Sequence, residues 1–152
     1  MIRLAGPDDL AALVALEEGF PPEDRFDRRT WRRLLSGQTV TLVHESAAGL
    51  DAAAVLLFRQ GSSVARLYSI SVAPASRGQG LGGKILAACE DHAVRRGAER
   101  LRLEVRSSNS SATRLYGAAG YRVIARLESY YPDGEAALRM EKVLIAPSDG
   151  AP

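Results

Sequence analysis

The sequence predicts an α/β domain: a mixed, mostly antiparallel central sheet with one parallel central pair and helices on both faces. Three observations predict it. Strand-like and helix-like stretches follow in the order strand, two helices, three strands, helix, strand, helix, two strands. The long helix-like stretch LGGKILAACEDHAVRRG lies between two apolar strand-like runs, which is the pattern of a crossover between parallel strands. The turn-forming Pro132, Asp133 and Gly134 lie between the last two strand-like runs, so that pair is expected to be antiparallel.

Each element has its own reason. IRLA, Ile2 to Ala5, reads as a short strand. PDDLAALVALEEG reads as a helix, with Pro7 near its start, Asp8 and Asp9 in the first turn, and Gly19 as its stop. FPPEDRF, Phe20 to Phe26, is expected to be irregular, because Pro21 and Pro22 lack the N–H that a helix or a ladder needs. DRRTWRRLLSG is a second short helix ending at Gly37, anchored to the sheet by Trp31. TVTLVHE and AAAVLLFR are consecutive strands joined near Gly49. SVARLYSISVA is a third strand, stopped by Pro74, and its continuous apolar and β-branched character suggests a central place. In the long helix, Ile85, Leu86, Cys89, His92 and Ala93 recur at helical spacing, which makes Cys89 a small core residue. RLRLEV is a strand with Leu101, Leu103 and Val105 on one side. SATRLYGAAG is a short helix closed by Gly120. YRVIARLESYY and EAALRMEKVLI are the closing strands.

With 152 residues and 46% hydrophobic content, one domain over residues 1–146 and a frayed tail over 147–152 are expected. No apolar run approaches the length of a membrane span, and acidic residues come too early for a signal peptide, so a cytoplasmic protein is expected. A lone cysteine excludes an intrachain disulfide, and two histidines leave little for a metal site; none is expected. His44 has no acid or cysteine at triad or metal spacing. The net charge of +2 is scattered rather than striped, which argues against nucleic acid as a direct partner.

The chemistry-bearing stretch is SVAPASRGQGLGGKIL, Ser71 to Leu86. A nucleotide P-loop needs Ser or Thr after its lysine, and here Ile85 follows Lys84. Gly78, Gly80 and Gly83 satisfy a dinucleotide spacing, but the turn follows the fourth strand rather than the first. The third reading takes Arg77, Gly80 and Gly82 as R-x-x-G-x-G. Glycines let the backbone approach a pyrophosphate, free N–H groups point at its oxygens, and Arg77 with the helix's positive end offsets its charge. Alternatively, this is only a tight strand-to-helix turn.

On these residues the chain resembles the GCN5-related N-acetyltransferase superfamily, whose hallmark is this turn after a central strand. LEVRSSNSSATRLYGAAGYRV, Leu103 to Val123, resembles the subgroup that acetylates the N-terminal amine of ribosomal protein S18, and SYYPDGEAALRM, Ser129 to Met140, resembles that subgroup's tail. The likeness is clear over Ala65 to Met140. The chain departs from the subgroup at Glu135 and Ala136, where an aspartate commonly precedes the alanine, and after Phe20 and Pro21, where a tryptophan often follows.

The resemblance implies an acyl-CoA-dependent N-acetyltransferase that uses acetyl-coenzyme A (acetyl-CoA) as donor. Its pyrophosphate would lie on Arg77, Gly78, Gln79, Gly80, Leu81, Gly82 and Gly83. Its pantetheine arm would run beside Ile70 and Val72, between the central strand and RLRLEV, with the Val72 N–H toward the acetyl carbonyl. Asn109 either caps the following helix or also meets the donor. Glu104 would be the base, directly or through water; otherwise it is a strand glutamate paired with Arg102 or Arg106. Tyr116 would protonate the leaving thiolate; otherwise it is a core aromatic. Phe20, Tyr68, Glu104, Tyr130 and Tyr131 would border the acceptor. The expected acceptor is a protein or peptide N-terminal α-amine, with a ribosomal protein as one candidate. A small-molecule amine, a lysine side chain, or a non-catalytic acetyl-CoA sensor stay open, as does monomer or homodimer. No membrane partner is expected.

Overall fold

The computed structural model describes residues 1–19, 25–36 and 39–144. Its strands and α-helices run β1 (Ile2–Leu4), α1 (Leu10–Leu16), α2 (Arg28–Ser36), β2 (Thr39–Ser46), β3 (Gly49–Leu57), β4 (Val64–Val72), α3 (Leu81–Arg95), β5 (Arg100–Arg106), α4 (Ser110–Ala118), β6 (Arg122–Leu127) and β7 (Ala137–Val143). The seven-stranded sheet has the order β1-β2-β3-β4-β5-β7-β6. β4 and β5 pair in parallel, and β1 with β2, β2 with β3, β5 with β7 and β6 with β7 pair antiparallel. The mixed, mostly antiparallel sheet with one parallel pair is therefore present, and β4 is its middle strand. The parallel pairing covers Val64–Leu67 against Arg100–Leu103. No described helix is long and apolar enough to cross a membrane.

The chain forms two compact units that share β4 and α3. The first holds Met1–Phe58 and Tyr68–Cys89; the second holds Arg59–Leu67 and the chain from Glu90 onward.

In the first unit, helical spacing builds the core. Leu13 and Leu16 of α1 and Trp31 and Leu34 of α2 lie three residues apart, so each pair faces one way. They pack with Val43 of β2 and with Ala53 and Val55 of β3. Trp31 is buried and thus anchors α2 as its sequence suggests. Its indole N–H donates to the carboxylate of Glu17 at 3.2 Å, and the Phe26 N–H donates to the same oxygen at 2.8 Å. Glu17 is itself buried, and burial pushes its carboxyl above the usual range against the pull of these two donors. The long first helix of the sequence reading is broken: Pro7–Asp9 and Glu17–Gly19 are 3-10 turns flanking α1. Asp9 accepts from the Gly6 N–H at 2.8 Å and takes both terminal nitrogens of Arg3 at 2.9 Å, tying the helix start to β1. His44 does find an acid, contrary to its sequence spacing: Nδ1 lies 2.6 Å from Asp51 across the β2–β3 hairpin. Most of the irregular segment expected after α1, the stop at Gly37 and the frayed tail lie outside the described residues.

In the second unit, β5 alternates as expected, burying Leu101, Leu103 and Val105. The closing strands are shorter than their patterns suggest. β6 stops at Leu127 instead of running to Tyr131, because Ser129 takes a positive φ of 51° that no strand allows. β7 starts at Ala137 because Glu135 is engaged elsewhere. Its carboxylate accepts from the Ser108 N–H at 2.8 Å and from Arg106 at 3.0 Å. Arg106 also reaches Asp133 at 2.8 Å and lies 4.2 Å over the Tyr131 ring. The β6–β7 connection is thus a structured loop from Glu128 to Ala136 that holds the expected turn at Pro132–Gly134, where the Gly134 N–H donates to the Tyr131 carbonyl at 2.8 Å.

Hydrogen bonds from Ser108, then from Arg106, hold the Glu135 carboxyl down at about 2, from 4.5. A depressed carboxyl stabilises the fold above its unfolded value and loses that contribution as pH falls through the folded value. The urea midpoint of the native protein should therefore exceed that of Glu135→Gln above about pH 4.5, and the gap should close toward about pH 2. Parallel midpoints across that window would refute the clamp.

Candidate active site

The glycine turn is built by the end of one strand and the start of a helix. Pro74 ends β4 and opens a short 3-10 turn, Pro74–Ser76. Gly78 and Gly80 then take φ of +79° and +76°, the left-handed region that favours glycine. The Gly80 carbonyl accepts from the Lys84 N–H at 3.1 Å, so α3 begins at Leu81. The N–H groups of Leu81, Gly82 and Gly83 head the helix without a carbonyl four residues back inside it. Leu81 is buried and seats the helix, while Arg77, Gly78, Gln79 and Gly80 are exposed. A Cβ added at Gly78, Gly80 or Gly83 would meet nothing within 4 Å. Arg77 folds back so that its Nε donates to the Val72 carbonyl at 3.2 Å, keeping its charge at the turn. This arrangement offers an anion several backbone donors, a guanidinium and a helix N-terminus on open ground. On the same unit, Ile70 and Val72 are half-buried and Tyr68 is exposed on β4.

In the second unit, alternation turns Glu104 to the side of β5 opposite the buried leucines. Its side chain is only 9% exposed and both oxygens are engaged. Arg66 of β4 donates to Oε1, and Arg139 of β7 donates its Nε–H to Oε2 at 2.7 Å. The expected partners go elsewhere: Arg102 bonds Glu141, and Arg106 bonds Asp133 and Glu135. The antiparallel register explains this, since it sets Arg139 opposite Glu104 and Glu141 opposite Arg102. Burial opposes ionisation of Glu141, but hydrogen bonds from Arg102 and Arg100 bring its carboxyl below the usual range.

Tyr116 lies on α4, buried, with its ring edge-on to Tyr121 at 5.7 Å. Asn109 caps that helix, its Oδ1 accepting from the Ala112 N–H at 3.0 Å. Tyr130 and Tyr131 meet edge-on at 5.0 Å on the β6–β7 loop, with Tyr130 exposed. The second unit thus carries Glu104, Asn109, Tyr116, Tyr130 and Tyr131, and the first carries Tyr68, Ile70, Val72 and Arg77–Gly83. Phe20 lies outside the described residues. Sequence reasoning missed Arg66 and Arg139 as the partners of Glu104, and Glu135 as the loop's clamp.

Residues 10–121 match the acetyltransferase (GNAT) family. The [ribosomal protein bS18]-alanine N-acetyltransferase of Haemophilus ducreyi is 40% identical over 68 residues, 45% of this chain and 47% of that protein. The enzyme of the same name from Escherichia coli is 40% identical over 82 residues, 54% of each chain. The chain spans about half the length of these curated relatives in those matches. The crystal structure of the Escherichia coli ribosomal-protein-S18-alanine N-acetyltransferase superposes with a TM-score of 0.85 at 28% identity, covering 98% of this chain and 97% of that one.

Proposed function

The chain belongs to the acetyltransferase (GNAT) family, and from that premise we propose that it transfers the acetyl group of acetyl-CoA to the N-terminal α-amine of a protein or peptide. The observation that carries the donor half is the glycine turn: Gly78 and Gly80 at positive φ, exposed, facing open space and leading into α3. Such a turn fits a pyrophosphate, which needs close backbone approach and dispersed N–H donors. The acceptor half draws on the relatives, whose names specify an alanine of a ribosomal protein; a ribosomal protein is the first candidate.

Acetyl-CoA supplies an acetyl thioester. The chain's residues divide the remaining work. Backbone N–H groups from Gly78 to Gly83, with the Arg77 charge, hold the donor's phosphates. Ile70 and Val72 guide its arm, and the Val72 N–H steadies the carbonyl oxygen. Asn109 keeps its amide nitrogen for the donor while its oxygen caps α4. Glu104 receives the amine's proton, directly or through water, at the lone pairs that its two guanidinium hydrogen bonds leave free. The Tyr116 hydroxyl gives a proton to the departing sulfur. Tyr68, Tyr130 and Tyr131 border the acceptor.

Thiol release from acetyl-CoA with two matched peptides tests this. One has a free N-terminus and no lysine; the other has a blocked N-terminus and one lysine. Release with the first alone is the expected result. Release with the second alone would move the acceptor to a side-chain amine, and release with neither would overturn peptide acetylation.

A further inference from the structure

A phenol, a carboxylate and an ammonium of the second unit meet at the corner where α4 gives way to β6, and none of them is a donor-binding, base or acid group. The Tyr121 hydroxyl donates to Oε2 of Glu90 on α3 at 2.9 Å, and Nζ of Lys142 on β7 donates to Oε1 of the same carboxylate at 3.0 Å. Lys142 Nζ also lies 5.8 Å from the centre of the Tyr121 ring. Gly120 turns the corner at a φ of +101°, and a Cβ there would stand 3.4 Å from the Lys142 stem. Tyr121 is buried, and the side chains of Glu90 and Lys142 are 17% and 28% exposed, so the cluster lies mostly out of solvent.

Tyr121 also touches Tyr116 twice. Its N–H donates to the Tyr116 carbonyl at 3.0 Å, and its ring meets the Tyr116 ring edge-on at 5.7 Å. The Tyr121 side chain is thus fixed at both ends. Its backbone is bonded to α4, and its hydroxyl makes a charge-assisted hydrogen bond to Glu90. Phenylalanine would fill the same space and leave no buried hydroxyl to satisfy. A hydroxyl bonded to a carboxylate that a lysine holds in turn adds what packing alone does not: a set tilt of the ring.

We infer that Tyr121, anchored by Glu90 and Lys142, is the positioning residue for the Tyr116 hydroxyl. The inference rests on the proposed acetyl transfer, because it takes Tyr116 as the proton donor to the departing sulfur. A catalytic group must be held within about 0.5 Å and 10–20° of its productive geometry by neighbours that are themselves locked. A displacement of about 1 Å costs up to roughly 10²-fold in rate. The edge-on contact passes the set tilt of the Tyr121 ring to the Tyr116 ring. When the far anchor is lost, both rings gain freedom and the hydroxyl leaves its line to the sulfur.

Tyr121→Phe tests it with the free-amine peptide as acceptor, since it keeps the ring beside Tyr116 and removes only the far anchor. Its kcat should fall about tenfold, with KM for acetyl-CoA and for peptide within about twofold of native. Glu90→Ala, which removes the acceptor and keeps both phenols, should lose about as much. In a double-mutant cycle, Tyr116→Phe combined with Tyr121→Phe should have a kcat within about twofold of Tyr116→Phe alone, because no hydroxyl remains to be placed. Native kcat in Tyr121→Phe or in Glu90→Ala, whatever the Tm, makes the network structural only and overturns the inference. Losses that multiply in the double variant also overturn it, since Tyr121 then acts apart from Tyr116. If Tyr116→Phe alone keeps native kcat, the proton-donor role of Tyr116 fails; if no peptide is acetylated, the acetyl-transfer reading fails. This inference falls with either.

Discussion

Tyr116→Phe is expected to lower kcat by about 10²-fold, the low end of what a positioned proton donor contributes. The KM for acetyl-CoA should stay within about twofold of its native value. The substitution removes one oxygen and keeps the ring. The ring is buried on α4 and packs edge-on against Tyr121, a contact that phenylalanine keeps, and a Tm equal to native shows that the loss in kcat is chemistry. A thiolate leaving without a proton is a poorer leaving group, and that penalty falls on the transition state alone, which moves kcat rather than KM. An acetyl donor whose thiol is more acidic needs less help on departure, so the gap between variant and native enzyme should shrink with it. If kcat is unchanged with acetyl-CoA, Tyr116 is only a packed aromatic. If KM rises while kcat holds, the hydroxyl serves binding.

Legibility in the sequence follows the range over which each feature is decided. The glycine turn was readable because a positive φ at Gly78 and Gly80 is a local demand that glycine meets directly. The alternation of Leu101, Leu103 and Val105 was readable because a strand has period two. That alternation also put Glu104 on the far side of β5, but not its partners. Arg66 and Arg139 lie 38 and 35 residues away, and only the registers of β4 and β7 against β5 bring them to it. The same limit applies at the end of β6. The apolar and aromatic run to Tyr131 reads as strand, yet Arg106 stacking on Tyr131 and binding Glu135 draws the chain into a loop. Propensity lost there to long-range pairing. Likewise the His44–Asp51 contact depends on the β2–β3 pairing, which sequence spacing does not reveal.

Two glycines provide a matched comparison for the donor site. Gly80 in the turn and Gly61 before β4 have φ of +76° and +81°, and a Cβ added at either would meet nothing within 4 Å. Alanine at either position therefore carries the same penalty: backbone strain of about 1–2 kcal/mol for the left-handed region, with no clash. A domain with roughly 5–15 kcal/mol of stability survives that, so both variants should fold, with similar drops in Tm. Only Gly80 has a second reason to be glycine. If a pyrophosphate lies against its backbone, the methyl group stands where phosphate oxygens approach, and relaxing the strain turns the N–H groups away. Gly80→Ala should then raise the KM for acetyl-CoA at least about tenfold, a loss near 1.4 kcal/mol, while Gly61→Ala stays within about twofold of native. Equal KM values in the two variants, with equal Tm drops, would mean that the open ground in front of Gly80 binds nothing in turnover, and the turn would be reduced to a connection between β4 and α3.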